Sequence, residues 1–169
     1  MKFTLKNRLA NKLENQWLGL VARLALGAVL FLAGWLKAFK FDEAQMAVRA
    51  YEVLPISVAN VLGVILPWFE IAIALLLILG VAVRPAALAS GLLMLLFIAA
   101  ITQAGIRGLS IDCGCFGGGG QVEPGKTKYL QEIARDFGLF LLALYLYRYP
   151  ATKFAIEKAS TTETEYKAE

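Results

Sequence analysis

The chain contains no histidine. That absence excludes histidine-ligated haem, zinc or copper centres, and it removes the imidazole general base on which many enzyme mechanisms depend. Cysteine is almost as scarce, with two in 169 residues, Cys113 and Cys115. Two thiolates without histidine cannot complete a tetrahedral zinc site, so no metal is expected. Charge is thin at 18% of residues, and no basic surface interleaved with aromatics points to nucleic acid. Neither an internal repeat nor a second domain is visible.

What is present is apolar. Hydrophobic residues make up 59% of the chain and the mean hydropathy is +0.62, against roughly 45–50% apolar usage in soluble domains. For such a chain the bilayer replaces water as solvent, and helices must satisfy their own backbone groups. Four segments have membrane length: residues 17–36, 56–83, 85–106 and 133–149. Twenty helical residues reach about 30 Å. Pro67 falls inside the second segment and Pro85 in the first turn of the third. Tyr145, Tyr147 and Tyr149 suit an interfacial belt. The reading is therefore an all-α integral membrane four-helix bundle.

Three further segments frame that bundle. Residues 1–16 are basic, and leucines at every fourth position would give a helix there an apolar ridge for the lipid surface. The run that follows is too long for a signal peptide and is read as a retained anchor. Residues 151–169 form a polar tail expected to be disordered. Between the first two spans, Asp42 and Gln45 read as a capping box, predicting a short interfacial helix over residues 43–53. Lysine and arginine lean towards the N-tail, the residue 84 turn and the C-tail, which predicts both termini cytoplasmic. The loop carrying the cysteines then lies outside the cytoplasm, where disulfides persist.

That loop, between the third and fourth spans, reads Ser110-Ile111-Asp112-Cys113-Gly114-Cys115-Phe116 followed by four glycines. A disulfide closing three residues restricts the unfolded chain by only about 1.6 kcal/mol, against about 3 kcal/mol for fifteen. It is a poor staple, and strain in so tight a ring makes it easier to reduce. The pair therefore reads first as redox-active and second as an inert disulfide. Phe116 is expected to anchor a partner. Asp112 would raise a neighbouring thiol pKa, accept a proton or cap the loop, with Arg107, Lys126 and Lys128 placed to oppose its charge.

Arg23, Glu70, Arg135 and Asp136 fall within or at the ends of spans, so each should face the bundle interior. Gly19, Arg23, Gly27 and Gly34 share one helix face, and Gly63, Pro67, Glu70 and Ala74 share another. Close approach of these faces predicts an Arg23–Glu70 ion pair, read either as structural or as part of a polar cavity for a quinone headgroup or a proton relay.

Taken together, residues 23–27 with Gly34 and Lys37, residues 66–70, Cys113-Gly114-Cys115-Phe116-Gly117 and Arg135-Asp136 resemble the MauE/DoxX-like redox-associated membrane proteins over about residues 17–149. The resemblance implies a four-helix membrane bundle with a role in disulfide formation or thiol balance outside the cytoplasm, alongside a thioredoxin-like or DsbA-like partner. It also implies a link to methylamine metabolism, through maturation of the disulfide-rich small subunit of methylamine dehydrogenase. On this reading Cys113 and Cys115 exchange disulfides with the partner, and a membrane quinone is the plausible electron acceptor. The rival readings are a non-catalytic membrane scaffold that recruits a soluble redox enzyme, and a small permease built around Arg23 and Glu70.

Overall fold

The computed structural model describes residues 2–115, 117–123, 127–150 and 152–156, with side chains from residue 16 onwards. Phe116, Lys126 and residues 157–169 lie outside the described residues, as do the side chains of the basic N-terminal segment. Among the described residues five helices follow in order: α1 (Lys2–Ala38), α2 (Phe41–Ala50), α3 (Ile56–Leu79), α4 (Val83–Ile106) and α5 (Tyr129–Arg148). Between α4 and α5 a two-stranded antiparallel ribbon pairs β1 (Ile111–Asp112) with β2 (Gly120–Gln121).

Helices α1, α3, α4 and α5 form the bundle, and α2 lies against α3. Gln16–Ala38 within α1, together with α3 and α4, are long and apolar enough to cross a membrane. Helix α5 has 20 residues but carries Glu132, Arg135, Asp136 and Arg148. Its buried stripe, Asp136, Leu139, Ala143 and Leu146, follows helical spacing. Phe137, Leu141 and Leu144 point outward and are exposed, as are Leu18, Leu32, Ile65 and Leu92 elsewhere. Apolar side chains exposed all round a bundle belong in lipid.

Small residues set how closely the helices approach. A Cβ at Gly34 would stand 2.6 Å from the Pro67 carbonyl oxygen and 3.2 Å from the Glu70 Cβ, so only glycine lets α1 and α3 touch there. Gly27 lies in the same way against Ile78 and Ala74. The expected faces therefore meet at Gly27, Gly34, Pro67, Glu70 and Ala74, whereas Gly19 packs on Thr152 and Gly63 on α2. The core between them is Leu26, Leu30, Ala74 and Leu77, extended by Met94 and Leu146. Helix α1 packs along α3 and α4 along α5, whereas α3 and α4 touch only sparsely.

Three expectations need correction. Helix α2 begins at Phe41, ahead of the supposed cap, and no side chain caps its N-terminus. Asp42 lies inside the first turn, Lys40 bonds Glu43 at 3.2 Å, and the backbone of Gln45 rests on Gly63. Docking on α3 thus decides where α2 starts. Helix α5 begins at Tyr129, a turn before its apolar run. The start of the polar tail is ordered by packing: Thr152 is buried, and the Ile156 N–H donates to the Gly80 carbonyl at 3.1 Å.

Candidate functional site

The antiparallel register of α1 on α3 decides which charges meet. Gly34 faces Glu70, and Arg23 faces Gly80 at the far end of α3. Ten residues of helix separate Glu70 from Gly80, about 15 Å, so Arg23 does not reach Glu70. Lys37, one turn beyond Gly34, does. Its Nζ donates to Glu70 Oε1 at 3.0 Å and lies 2.8 Å from Oε2. Both side chains are buried. Arg23 instead donates to Thr152 Oγ1 at 2.8 Å, tying the C-terminal segment to the bundle. The pairing expected for Arg23 is corrected, while the expected inward orientation of both residues holds.

On α5, Asp136 is buried and accepts hydrogen bonds from Arg135 at 2.8 Å. Arg135 also contacts the Cys115 side chain. Glu70, Arg135, Asp136 and Cys115 line one small cavity of about 20 Å³ near the middle of the bundle, enough for roughly one water. The second oxygen of Asp136, Oδ2, is buried and has no partner among the described residues.

The cysteines sit at the tip of the ribbon. The Val122 N–H donates to Ser110 O at 2.8 Å, extending the pairing. The Tyr129 hydroxyl donates to Leu109 O at 2.5 Å and accepts from the Ile111 N–H at 3.2 Å, which fixes the ribbon to the start of α5. The Tyr51 hydroxyl, raised in pKa first by burial and then by the nearby thiols, donates to Cys113 O at 3.3 Å. Asp112 caps the turn, its Oδ1 accepting from the Gly114 N–H at 3.2 Å. Of its three predicted roles the geometry selects this one. Arg107 turns away to Glu52 and to the Tyr51 carbonyl, so it does not oppose Asp112.

Gly114 has φ +67°, and a Cβ there would stand 2.6 Å from that of Ala47 on α2. Glycine is required on both counts, by the left-handed backbone and by the closeness of α2.

The two thiols are unequal. Cys113 is partly exposed and Cys115 is buried, and both are free. The Cys115 side chain hydrogen-bonds Cys113 and holds that thiol below the ordinary range, against the opposing effect of burial. The Cys115 N–H also donates to Cys113 Sγ at 3.3 Å. Cys115 is pushed far up, by the same hydrogen bond first and by burial second. The pair is therefore asymmetric in exposure and in the direction each thiol is shifted.

Glu132, in the first turn of α5, hydrogen-bonds Cys113. Donor atoms of Asp112, Cys113 and Glu132 lie within 4.8 Å of one another. Three donors, one from exposed Asp112, fall short of the four a structural zinc takes. Sequence reasoning missed Lys37 and Glu132 as site members. Lys37 entered as part of the family motif, without a role or a partner, and Glu132 lay outside the apolar run that marked the fourth span.

A larger cavity of about 470 Å³ lies behind the ribbon, between α2, α3 and α4, with Lys37, Tyr51, Gln103, Cys113 and Cys115 on its wall.

Fold and site together define a helical membrane protein that carries an asymmetric dithiol at one end of its bundle, next to buried charge pairs. The chain belongs to the MauE family: the family described as Methylamine utilisation protein MauE matches residues 15–148. A similar curated protein, the methylamine utilization protein MauE of Paracoccus denitrificans, is 38% identical over 94 residues, covering 54% of this chain. That alignment spans half (50%) of the relative's length. No solved structure matches.

Proposed function

We propose that this multi-pass membrane protein exchanges disulfides with a partner outside the cytoplasm through Cys113 and Cys115. The observation that carries the reading is the inequality of the pair, an accessible activated thiol beside a buried one. In its oxidised form, the Cys113–Cys115 bond is attacked at Cys113 by a partner thiolate, giving a mixed disulfide and freeing Cys115. The second partner thiol then displaces Cys113. The partner loses two electrons and two protons and gains a disulfide, and the chain becomes the dithiol. Run in reverse, the same steps reduce a partner.

The partner is proposed to be a thioredoxin-like or DsbA-like protein, whose own paired cysteines suit this chemistry. Orientation rests on the positive-inside bias of the sequence: Lys2, Lys6, Arg8, Lys12, Arg84, Arg148, Lys153, Lys158 and Lys167, assigned to the side of the termini, outnumber Lys37, Lys40, Arg49, Arg107, Lys126 and Lys128 on the ribbon side, which favours cytoplasmic termini and an external dithiol by a modest margin. The name of the Paracoccus denitrificans relative makes methylamine utilisation the proposed process.

Trapping tests the reading. Cys115→Ser leaves Cys113 without its resolving thiol, so a covalent adduct that dithiothreitol releases should appear on a non-reducing gel. Replacing both cysteines by serine should abolish the adduct and the partner's oxidation together. Full partner activity with both cysteines replaced would instead identify a scaffold.

A further inference from the structure

We propose that the cavity behind the ribbon binds a lipid-soluble quinone, which takes the two electrons of the Cys113–Cys115 dithiol. This inference rests on the exchange reading and adds the electron acceptor and its site.

Four observations carry it. The cavity measures about 470 Å³, within the roughly 300–1,000 Å³ typical of small-molecule sites. Both cysteines are on its wall, so a bound ring lies beside the sulfurs. Leu62 and Leu96 line it and are also exposed on the outer surface, so it opens between α3 and α4 where those helices barely touch. In a membrane that opening faces lipid, the phase that carries quinones. Finally, the Nε2 and Oε1 atoms of Gln103 are both buried on this wall without a partner among the described residues. A buried amide left unpaired costs about 1–3 kcal/mol. A quinone offers a carbonyl to accept from Nε2, and its hydroquinone offers a hydroxyl to donate to Oε1.

Other acceptors fit less well. Nicotinamide and flavin cofactors carry phosphates, and Lys37, a cation on this wall, is already paired with Glu70. A phospholipid tail would fill the space but accepts no electrons.

The balance closes without another reactant. The two thiols lose two electrons and two protons as the sulfur–sulfur bond forms. The quinone takes up two electrons and two protons and becomes hydroquinone. The dithiol supplied by partner oxidation is thereby returned to the disulfide.

The test uses the full chain in lipid nanodiscs, reduced with dithiothreitol, desalted and mixed with a short-chain ubiquinone. One hydroquinone should form per chain as two thiols disappear, and replacing both cysteines by serine should abolish it. Ala100→Trp, which fills the cavity, should slow hydroquinone formation at least tenfold. Leu144→Trp, on the exposed face of α5, a helix that does not line this cavity, should leave it unchanged. Gln103→Leu should raise the KM for quinone more than it lowers kcat. Should Ala100→Trp fail to fold, a photoreactive quinone on the native chain decides: labelling of α3 and α4 at the cavity supports the site, and labelling elsewhere overturns it. A native chain that exchanges with thioredoxin but forms no hydroquinone overturns this inference and leaves the exchange reading standing. A chain that does neither removes both.

Discussion

Lys37 and Glu70 show how much turns on one pair of side chains. Each is a charge within a bundle, and each is tolerable because the other neutralises it. Replacing Glu70 by methionine strands an ammonium, and replacing Lys37 strands a carboxylate. Each single change should cost about 3–5 kcal/mol, and the double change should recover most of the loss. Unfolding of the four variants in mixed detergent micelles measures the cycle. The thiols yield a second prediction at this scale. Alkylation follows the thiolate fraction, which rises with pH. Because Cys113 lies below the ordinary thiol range, its reaction with iodoacetamide should reach half its maximum below about pH 8.5. Cys115 is raised, so it should stay unmodified through that range and react only once the chain is unfolded. Peptide mass spectrometry across a pH series reads both.

Among the elements, the ribbon and α2 depend on each other. Ala47 is small enough, and Gly114 bare enough, for the two to touch. Gly114→Ala adds a left-handed backbone penalty of about 1–2 kcal/mol to a steric clash. The ribbon should lift from α2, and the Cys115 N–H should lose its hold on Cys113. A higher midpoint for Cys113 alkylation would report that loss, while the helical circular dichroism stays unchanged. Three of the four expected spans were legible in the sequence, because hydropathy over twenty residues is a local property. Their ends were less so. The first turn of α5 is polar and carries Glu132, and only its contact with Cys113 marks it as helix in the site. The capping signal at Asp42 failed because α2 is placed by its docking on Gly63 rather than by its own first turn.

At the scale of the whole molecule, the bundle has two ends of different character. One gathers Lys37, α2, the ribbon and the start of α5. The other gathers Arg23, Gly80, Arg84 and Thr152, with Arg84 stacked on Tyr147 at 5.2 Å. The proposed topology predicts that a membrane-impermeant maleimide labels Cys113 in intact spheroplasts. A cysteine introduced at Ser160, in a chain otherwise free of cysteine, should be labelled only after permeabilisation. The reverse pattern would place the dithiol in the cytosol, where disulfides are kept reduced, and would remove the external partner.

The sequence by itself determined the solvent, the helical class and the one place where thiol chemistry can occur. Each of these depends on composition or on neighbours close in the chain. It also identified the small-residue faces of α1 and α3, since side-chain spacing on a helix follows from its pitch. Only the tertiary structure decided that Glu70 pairs with Lys37 rather than Arg23, that Cys113 is more exposed than Cys115, and that one cavity reaches both. The pairing and the cavity depend on antiparallel register and on residues tens of positions apart, and the cysteines' difference depends on how the ribbon turn seats against the bundle. A shift of one helical turn between α1 and α3, about 5.4 Å, would break the Lys37–Glu70 pair without altering any local pattern.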